Sequence, residues 1–261
     1  MTADDRLPLS AVLITRNAAS QLAECLASVA FCDEILIVDS GSEDDTAGIA
    51  ERHGARVIQS DWRGFGLQKQ FAVEQASHDW VLCIDADERV SERLRESILA
   101  ALPALAPRTP SGTFSAFRFA RCNRFMGRYL RHGEGYPDWS LRLFDRRAAR
   151  WSADAVHEKV TATGKIGTLH GDLLHESAES LETYLAKQNR YSTLAAQEAV
   201  ASGKRATVVH LLSSPLLRFI KFYFFRLGLL DGLPGFVHIL AGCSASFAKY
   251  AKMLAFQRSG E

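Results

Sequence analysis

Two carboxylates spaced two residues apart, Asp85 and Asp87, follow the apolar run WVLCI in DWVLCIDADERV. A strand that carries both to the edge of a sheet places two anions at one turn, where they favour a cation. A hard divalent ion such as Mg2+ or Mn2+ takes oxygen ligands and keeps its remaining positions for water and substrate phosphates. The pair therefore suggests a metal shared with a diphosphate, with an ordinary turn or helix cap as the alternative. Asp39 ends a second apolar run, EILIVD, and opens DSGSEDDT; a carboxylate placed there can accept hydrogen bonds from a base or a ribose. Ser42, Asp44 and Asp45 read as N-cap candidates for the helix TAGIAERHG. Lys69, in GFGLQKQFA, can direct positive charge toward a phosphate from a helix start, or remain a solvated surface lysine.

The elements that must carry these groups alternate. SAVLIT (10–15), EILIVD (34–39), ARVIQS (55–60) and DWVLCIDAD (79–87) read as strands, and SQLAECLASVA (20–30), DDTAGIAERHG (44–54) and FGLQKQFAVEQAS (65–77) as the helices between them. Runs such as ILIV and VLCI lack strict alternation, so both faces are expected to be covered by helices. That is an α/β fold with a doubly wound, mostly parallel sheet, whose ligands bind beyond the carboxyl ends of the strands. Three strands end there in polar groups: Thr15-Arg16-Asn17, Asp39-Ser40-Gly41-Ser42 and Asp85-Ala86-Asp87. Ser91 opens a helix over 91–102, PALAPRTPSGT (103–113) is expected to be a loop or chain crossing, and the sheet is expected to continue irregularly through 114–160. From 180 to 203 the spacing is helical.

Length and composition exclude several classes. A chain of 261 residues with 47% hydrophobic and 23% charged residues can bury a sizeable core, and a net charge of +1 lacks the basicity of a nucleic-acid binder. Five scattered cysteines without a C-x-x-C pair fit a reducing compartment, and the polar start MTADDRLPLS lacks the features of a signal peptide, so a cytoplasmic protein is expected. Charge is divided unevenly: residues 181–261 carry +6 and residues 1–180 carry −5. The apolar stretches at 208–230 and 233–256 are interrupted by Arg218, Lys221 and Arg226 in the first and by Pro234, Gly235 and Gly242 in the second. Basic residues beside Phe222, Tyr223, Phe224 and Phe225 suit an interfacial helix on an anionic membrane surface, with a helical subdomain packed on the core as the alternative.

The run AVLITRNAASQLAECLASVAFCDEILIVDSGSEDDT, followed by GFGLQKQFA and VLCIDADERV, resembles the N-terminal half of inverting family 2 glycosyltransferases with the nucleotide-diphospho-sugar (GT-A) fold. Further on, YPDWSLRLFDRR, DAVHEKV, LLHES and LGLLDGLPGF resemble the branch containing lipopolysaccharide core β-1,4-glucosyltransferases that act on inner-core heptose. The resemblance implies a GT-A domain over 1–178, with a donor half at 1–102 and an acceptor half at 103–178, and a helical, membrane-associating extension over 179–261. It implies that Thr15, Asn17 and Asp39 hold uracil and ribose, that Asp85 approaches the ribose or metal, and that Asp87 binds a divalent metal, with His175 as a further ligand. Glu158 is the expected base and Asp138 the alternative; His157 would orient the base or touch the acceptor. Lys69 and Arg142 would offset charge on the departing diphosphate. Arg118, Arg121, Arg124, Arg128 and Arg131 lie beside the presumed acceptor side and suit phosphorylated sugars or a lipid A-core acceptor, with ordinary surface charge as the alternative. An α-linked UDP-sugar, with glucose as the expected hexose, would give a β-glycoside on a lipopolysaccharide core or other glycolipid acceptor, at the cytoplasmic face of the inner membrane.

Other classes fit less well. Phosphatases of the haloacid-dehalogenase type place their D-x-D on the first strand, and a nicotinamide enzyme needs G-x-G-x-x-G after it, where this chain has TRNAAS. A sugar-phosphate nucleotidyltransferase would have a glycine-rich loop at that place. Transfer to a polyprenyl phosphate carrier and a non-catalytic membrane-recruitment module remain the alternatives.

Overall fold

A computed structural model describes residues 7–101, 114–153, 158–177 and 180–259. The loop expected at 103–113 and His157 lie outside the described residues. The chain forms two compact units: one comprises the residues up to Arg121 with Asp138–His175, the other Cys122–Pro137 with the residues from Glu176 onward. Residues 122–137, which fall in the stretch expected to form the acceptor half, thus group with the C-terminal helices.

The first unit opens with β1 (Leu7–Thr15), α1 (Ala19–Ser28), β2 (Cys32–Asp39), α2 (Thr46–Arg52), β3 (Arg56–Gln59), α3 (Phe65–Glu74) and β4 (Trp80–Cys83). It continues with β5 (Glu88–Val90), α4 (Glu92–Ala101) and β6 (Phe114–Phe125), the last of which runs on into the second unit and pairs there with β7 (Arg128–Tyr129). After β8 (Asp138–Asp145) come the small hairpin β9 (Ala149–Trp151) and β10 (Val160–Ala162), then β11 (Lys165–His175). The main sheet has the order β3-β2-β1-β4-β8-β6-β11-β5. Its first four strands are parallel, and the β4–β8, β8–β6 and β11–β5 pairs are antiparallel. The sheet is therefore mixed: parallel pairing ends at β4, and of these antiparallel pairs only β8–β6 joins strands with no helix between them in the chain.

Alternate residues of one strand feed two cores. Leu9, Ala11 and Leu13 pack with Leu22, Cys25 and Leu26 of α1 and Leu94 and Ile98 of α4, while Val12 joins Val81, Cys83 and Ala72 and Val73 of α3 on the other face. This is why the strands read as unbroken apolar runs. At Gly171 (φ +99) of β11, a Cβ would lie 2.3 Å from the backbone nitrogen of Leu94, so only glycine lets α4 come this close.

The N-caps expected around residue 45 form differently. Asp45 occupies the cap position of α2 without a side-chain hydrogen bond and pairs with Arg52 instead. Asp44 accepts from the N–H groups of Ala19 and Thr46, tying together the starts of α1 and α2. Ser42 turns back toward Asp39.

In the second unit, α5 (Leu181–Ala201) is capped by Ser180, which accepts from Thr183 N–H at 3.1 Å. Then come α6 (Val208–Phe219), a π-helical turn at Ile220–Phe225, a 3-10 turn at Gly228–Asp231 and α7 (Gly232–Ser259). A small core joins Ala196, Ala199, Ala206 and Met253. No residue of α6 is buried. By length and composition, Val208–Phe225 and Gly228–Arg258 are each long and apolar enough to cross a membrane.

Candidate active site

The parallel register sets Thr15 opposite Asp39, and the two side chains meet. Asp39 is only 1% exposed; it accepts from the Thr15 hydroxyl at 2.8 Å, from Ser42 N–H at 2.9 Å and from the Ser42 hydroxyl at 2.5 Å. Burial opposes its ionisation, but the hydrogen bonds from Ser42 and Thr15 hold its pKa below the usual carboxylate range. Asn17 adopts φ +52, donates its N–H to Ser42 Oγ at 2.8 Å and accepts from Glu43 N–H at 2.8 Å. Thr15, Asn17 and Asp39 are thus brought together, and their polar atoms shape the loop mouth by bonding within it.

Beside this corner opens a cavity of about 720 Å3 whose lining includes Arg16, Ser40, Gly41, Gln59, Trp62 and Arg63. Trp62 stands edge-on to Phe65, with ring centroids 4.8 Å apart, and the Arg63 guanidinium lies 3.9 Å from the Phe71 ring centroid. Gly64 (φ +91) gives the chain its turn into α3. In the sequence these groups are marked only by the aromatic and cation pair in DWRGFG, directly after a strand.

At the end of β4 the charges are tightly arranged. Lys69 Nζ lies 3.1 Å from Asp85 Oδ1 and 3.3 Å from Glu158 Oε1. Arg142 Nη2 lies 3.0 Å from Asp85 Oδ2 and 3.4 Å from Glu88 Oε1. The wholly buried Glu88 also accepts from Asp85 N–H at 2.9 Å, and Arg121 approaches it at 3.6 Å. Burial works against the ionised form of Asp85, but Arg142 and Lys69 hold it well below the usual range; burial pushes the Glu88 carboxyl up against the pull of Arg142. Trp151 lies against both cations, its ring centre 4.8 Å from Lys69 Nζ and 5.5 Å from the Arg142 guanidinium carbon. Arg142 Nη1 is buried and has no hydrogen-bond partner among the described residues.

Asp87 and His175 meet at the same edge, Oδ2 to Nε2 at 3.2 Å, because antiparallel pairing of β11 with β5 sets His175 opposite Glu88. Asp138 is bound by Arg121 at 2.8 Å. The structure therefore gathers Lys69, Asp85, Arg142 and Glu158 into one network, pairs Asp87 with His175, and engages Asp138 with a cation. Glu88 and Trp151 were missed: Glu88 looked like an ordinary acidic residue after the motif, and nothing near Trp151 in the sequence announces that it supports two cations. Among the described residues no three His, Cys, Asp or Glu side chains gather as a metal site. One carboxylate with one imidazole nevertheless suits a divalent ion that takes its other ligands from water and a diphosphate, and the nitrogen donor favours Mn2+ somewhat over Mg2+.

Arg142→Met is expected to lower stability by about 3–5 kcal/mol, because it leaves Glu88 buried beside Asp85 without its nearest cation. Urea denaturation would measure this, and a loss below about 1 kcal/mol would contradict the pairing described.

Residues 10–149 match glycosyl transferase family 2. With this sheet and this strand-end site, the chain belongs to that family: it is a glycosyltransferase with the GT-A fold. In particular, it is similar to the lipopolysaccharide core biosynthesis glycosyltransferase LpsC of Rhizobium meliloti (strain 1021), with 36% identity over 95% of this chain and 92% of LpsC. It is also similar to the uncharacterized glycosyltransferase RP128 of Rickettsia prowazekii (strain Madrid E), with 31% identity over 94% of this chain and 86% of that protein. Among solved structures, S. aureus TarS 1-349 in complex with UDP-GlcNAc aligns with TM-score 0.48 and 14% identity over 96% of this chain and 92% of that 1-349 chain.

Proposed function

We propose that the protein transfers a hexose, glucose in our reading, from a UDP-sugar to the heptose region of a lipopolysaccharide inner core, with inversion, at the cytoplasmic face of the inner membrane. The observation that carries the donor site is the cluster of Lys69, Arg142, Asp85 and Glu158 at the strand ends, where a buried guanidinium nitrogen has no hydrogen-bond partner among the described residues. A diphosphate oxygen would satisfy that nitrogen, and two cations backed by Trp151 would stabilise charge on the leaving group. The likeness to LpsC along nearly the whole chain supports a lipopolysaccharide acceptor.

In this reading Asp87 and His175 hold a divalent ion, which supplies charge neutralisation at the diphosphate. Glu158 accepts the proton of the acceptor hydroxyl as its oxygen bonds to the anomeric carbon and the bond from that carbon to the UDP oxygen breaks. Lys69 at 3.3 Å holds Glu158 in place while it also contacts Asp85. The base and ribose lie along the Asp39 corner and the cavity beside it. Attachment to the membrane is in-plane, through α6 and the turn after it, where Leu216, Leu217 and Phe225 are 58%, 63% and 80% exposed and Lys221 is also exposed.

The test is a screen of UDP-, GDP- and dTDP-hexoses against lipopolysaccharide truncated to its inner core. UDP release should require a UDP-sugar and that acceptor, and the new linkage should be β by proton NMR. Turnover on a polyprenyl phosphate with none on truncated lipopolysaccharide would overturn the acceptor assignment.

A further inference from the structure

The residues expected to hold uracil and ribose spend their polar atoms on the loop itself. Asp39 is buried; its Oδ1 accepts from Ser42 N–H and its Oδ2 from the hydroxyls of Thr15 and Ser42. Asn17 donates its N–H to Ser42 Oγ and accepts from Glu43 N–H. This corner is a wall already satisfied by its own hydrogen bonds, so the groups that read a base must lie beside it.

The cavity next to it sits at the carboxyl ends of β1, β2 and β3, where Arg16, Ser40 with Gly41, and Ser60 to Arg63 follow the three strands. Open parallel sheets take their ligands at such strand ends. The Arg63 guanidinium lies over Phe71 at 3.9 Å and makes no hydrogen bond or ion pair among the described residues. Attraction to a ring face holds a cation without using its N–H donors. Gln68, wholly buried in α3, accepts from the Arg63 backbone N–H at 3.3 Å and donates to Ser40 Oγ at 3.0 Å. It thereby ties the loop after β3 to the residue that follows Asp39. The start of that loop is tied as well, since Ser60 N–H donates to the Asp39 carbonyl at 3.0 Å. Trp62, next to Arg63, is 48% exposed and braced edge-on by Phe65.

These two neighbours offer a base different things. An exposed indole stacks on any base, because every base has a π-face, and so gives affinity without choice. A guanidinium only donates. Uracil presents the acceptor O4 where cytosine presents an amino group, itself a donor. A guanidinium held in place therefore meets one with a hydrogen bond and the other with an opposed donor.

We infer that this cavity is the base site of the donor nucleotide and that Arg63 selects uracil over cytosine there by donating to O4. Trp62 supplies stacking without selection, and Gln68 is the positioning residue for Arg63. The inference deepens the donor-site reading above and rests on it. Calorimetric titration of UDP and of CDP, each with Mn2+, into the wild type, Arg63→Met, Trp62→Ala and Gln68→Met tests it, with melting temperatures recorded for each protein. The wild type should bind UDP about 10- to 100-fold more tightly than CDP, the cost of one unmatched donor. Arg63→Met should bind the two alike, through weaker UDP binding. Trp62→Ala should weaken both by the same factor and keep the ratio. Gln68→Met should lower the ratio at unchanged CDP affinity, whereas a merely structural loss would weaken both nucleotides together. Arg63 is exposed, so its replacement tests selection whether or not the Gln68 variant folds. Equal wild-type affinity for UDP and CDP, a ratio unchanged in Arg63→Met, or a ratio lost in Trp62→Ala would each overturn the inference, and a ratio unchanged in folded Gln68→Met would remove Gln68 from it. A wild type that binds neither nucleotide would instead overturn the donor-site reading.

Discussion

Replacing Glu158 with Gln is expected to lower turnover by about 10²–10⁴-fold with UDP affinity unchanged, the range that general-base catalysis supplies. Glutamine keeps the shape and can still accept from Lys69 Nζ, which lies 3.3 Å from the native carboxylate, so the cluster should keep its geometry. What is lost is the ability to take a proton from the attacking hydroxyl. Because Lys69 retains Asp85 at 3.1 Å, the positive charge available to the diphosphate should survive. Single-turnover transfer measured beside UDP calorimetry separates the two effects. Near-normal transfer by this variant would remove Glu158 as the base. Asp138 is the weaker candidate, since Arg121 already engages its carboxylate at 2.8 Å.

Replacing Asp87 with Ala should have an effect of similar size for a different reason. It leaves His175 as the one side chain of the proposed ion site, and a single imidazole is a poor anchor for a hard cation. The loss should exceed the roughly 10–100-fold that removal of an outer-shell partner costs a metal site. Asp85 cannot take over: Arg142 at 3.0 Å and Lys69 at 3.1 Å already neutralise it. In the proposed reading the two carboxylates of the motif do different work: Asp85 organises the cations, and Asp87 would face the ion.

The parallel half of the fold was legible because strands buried on both faces leave apolar runs, and because β1 to β4 alternate with helices of ordinary length. The three strand ends that carry Thr15, Asp39 and Asp85 followed directly from that pattern. The antiparallel half was harder. The three-residue strand Glu88–Val90 has no apolar pattern, and its pairing with β11 is set by a register that the sequence does not display. The approach of His175 to Asp87 depends on that pairing, so in the sequence it rested on resemblance alone. Residues 122–137 read as part of the first domain because they lie between two of its strands; their hydrogen bonds run instead to Arg226, Leu230 and Asp231, roughly a hundred positions later. Glu88 was hidden because a buried carboxylate next to an acidic motif looks, in sequence, like one more surface charge.

The most direct measurement of the central claim is calorimetric titration of UDP into wild-type protein and Asp87→Ala, each with Mn2+ and with EDTA. The expected result is binding by the wild type that requires Mn2+ and is absent in Asp87→Ala, with both proteins melting at the same temperature without ligand. Equal UDP affinity in EDTA and in Mn2+, unchanged by the substitution, would contradict it.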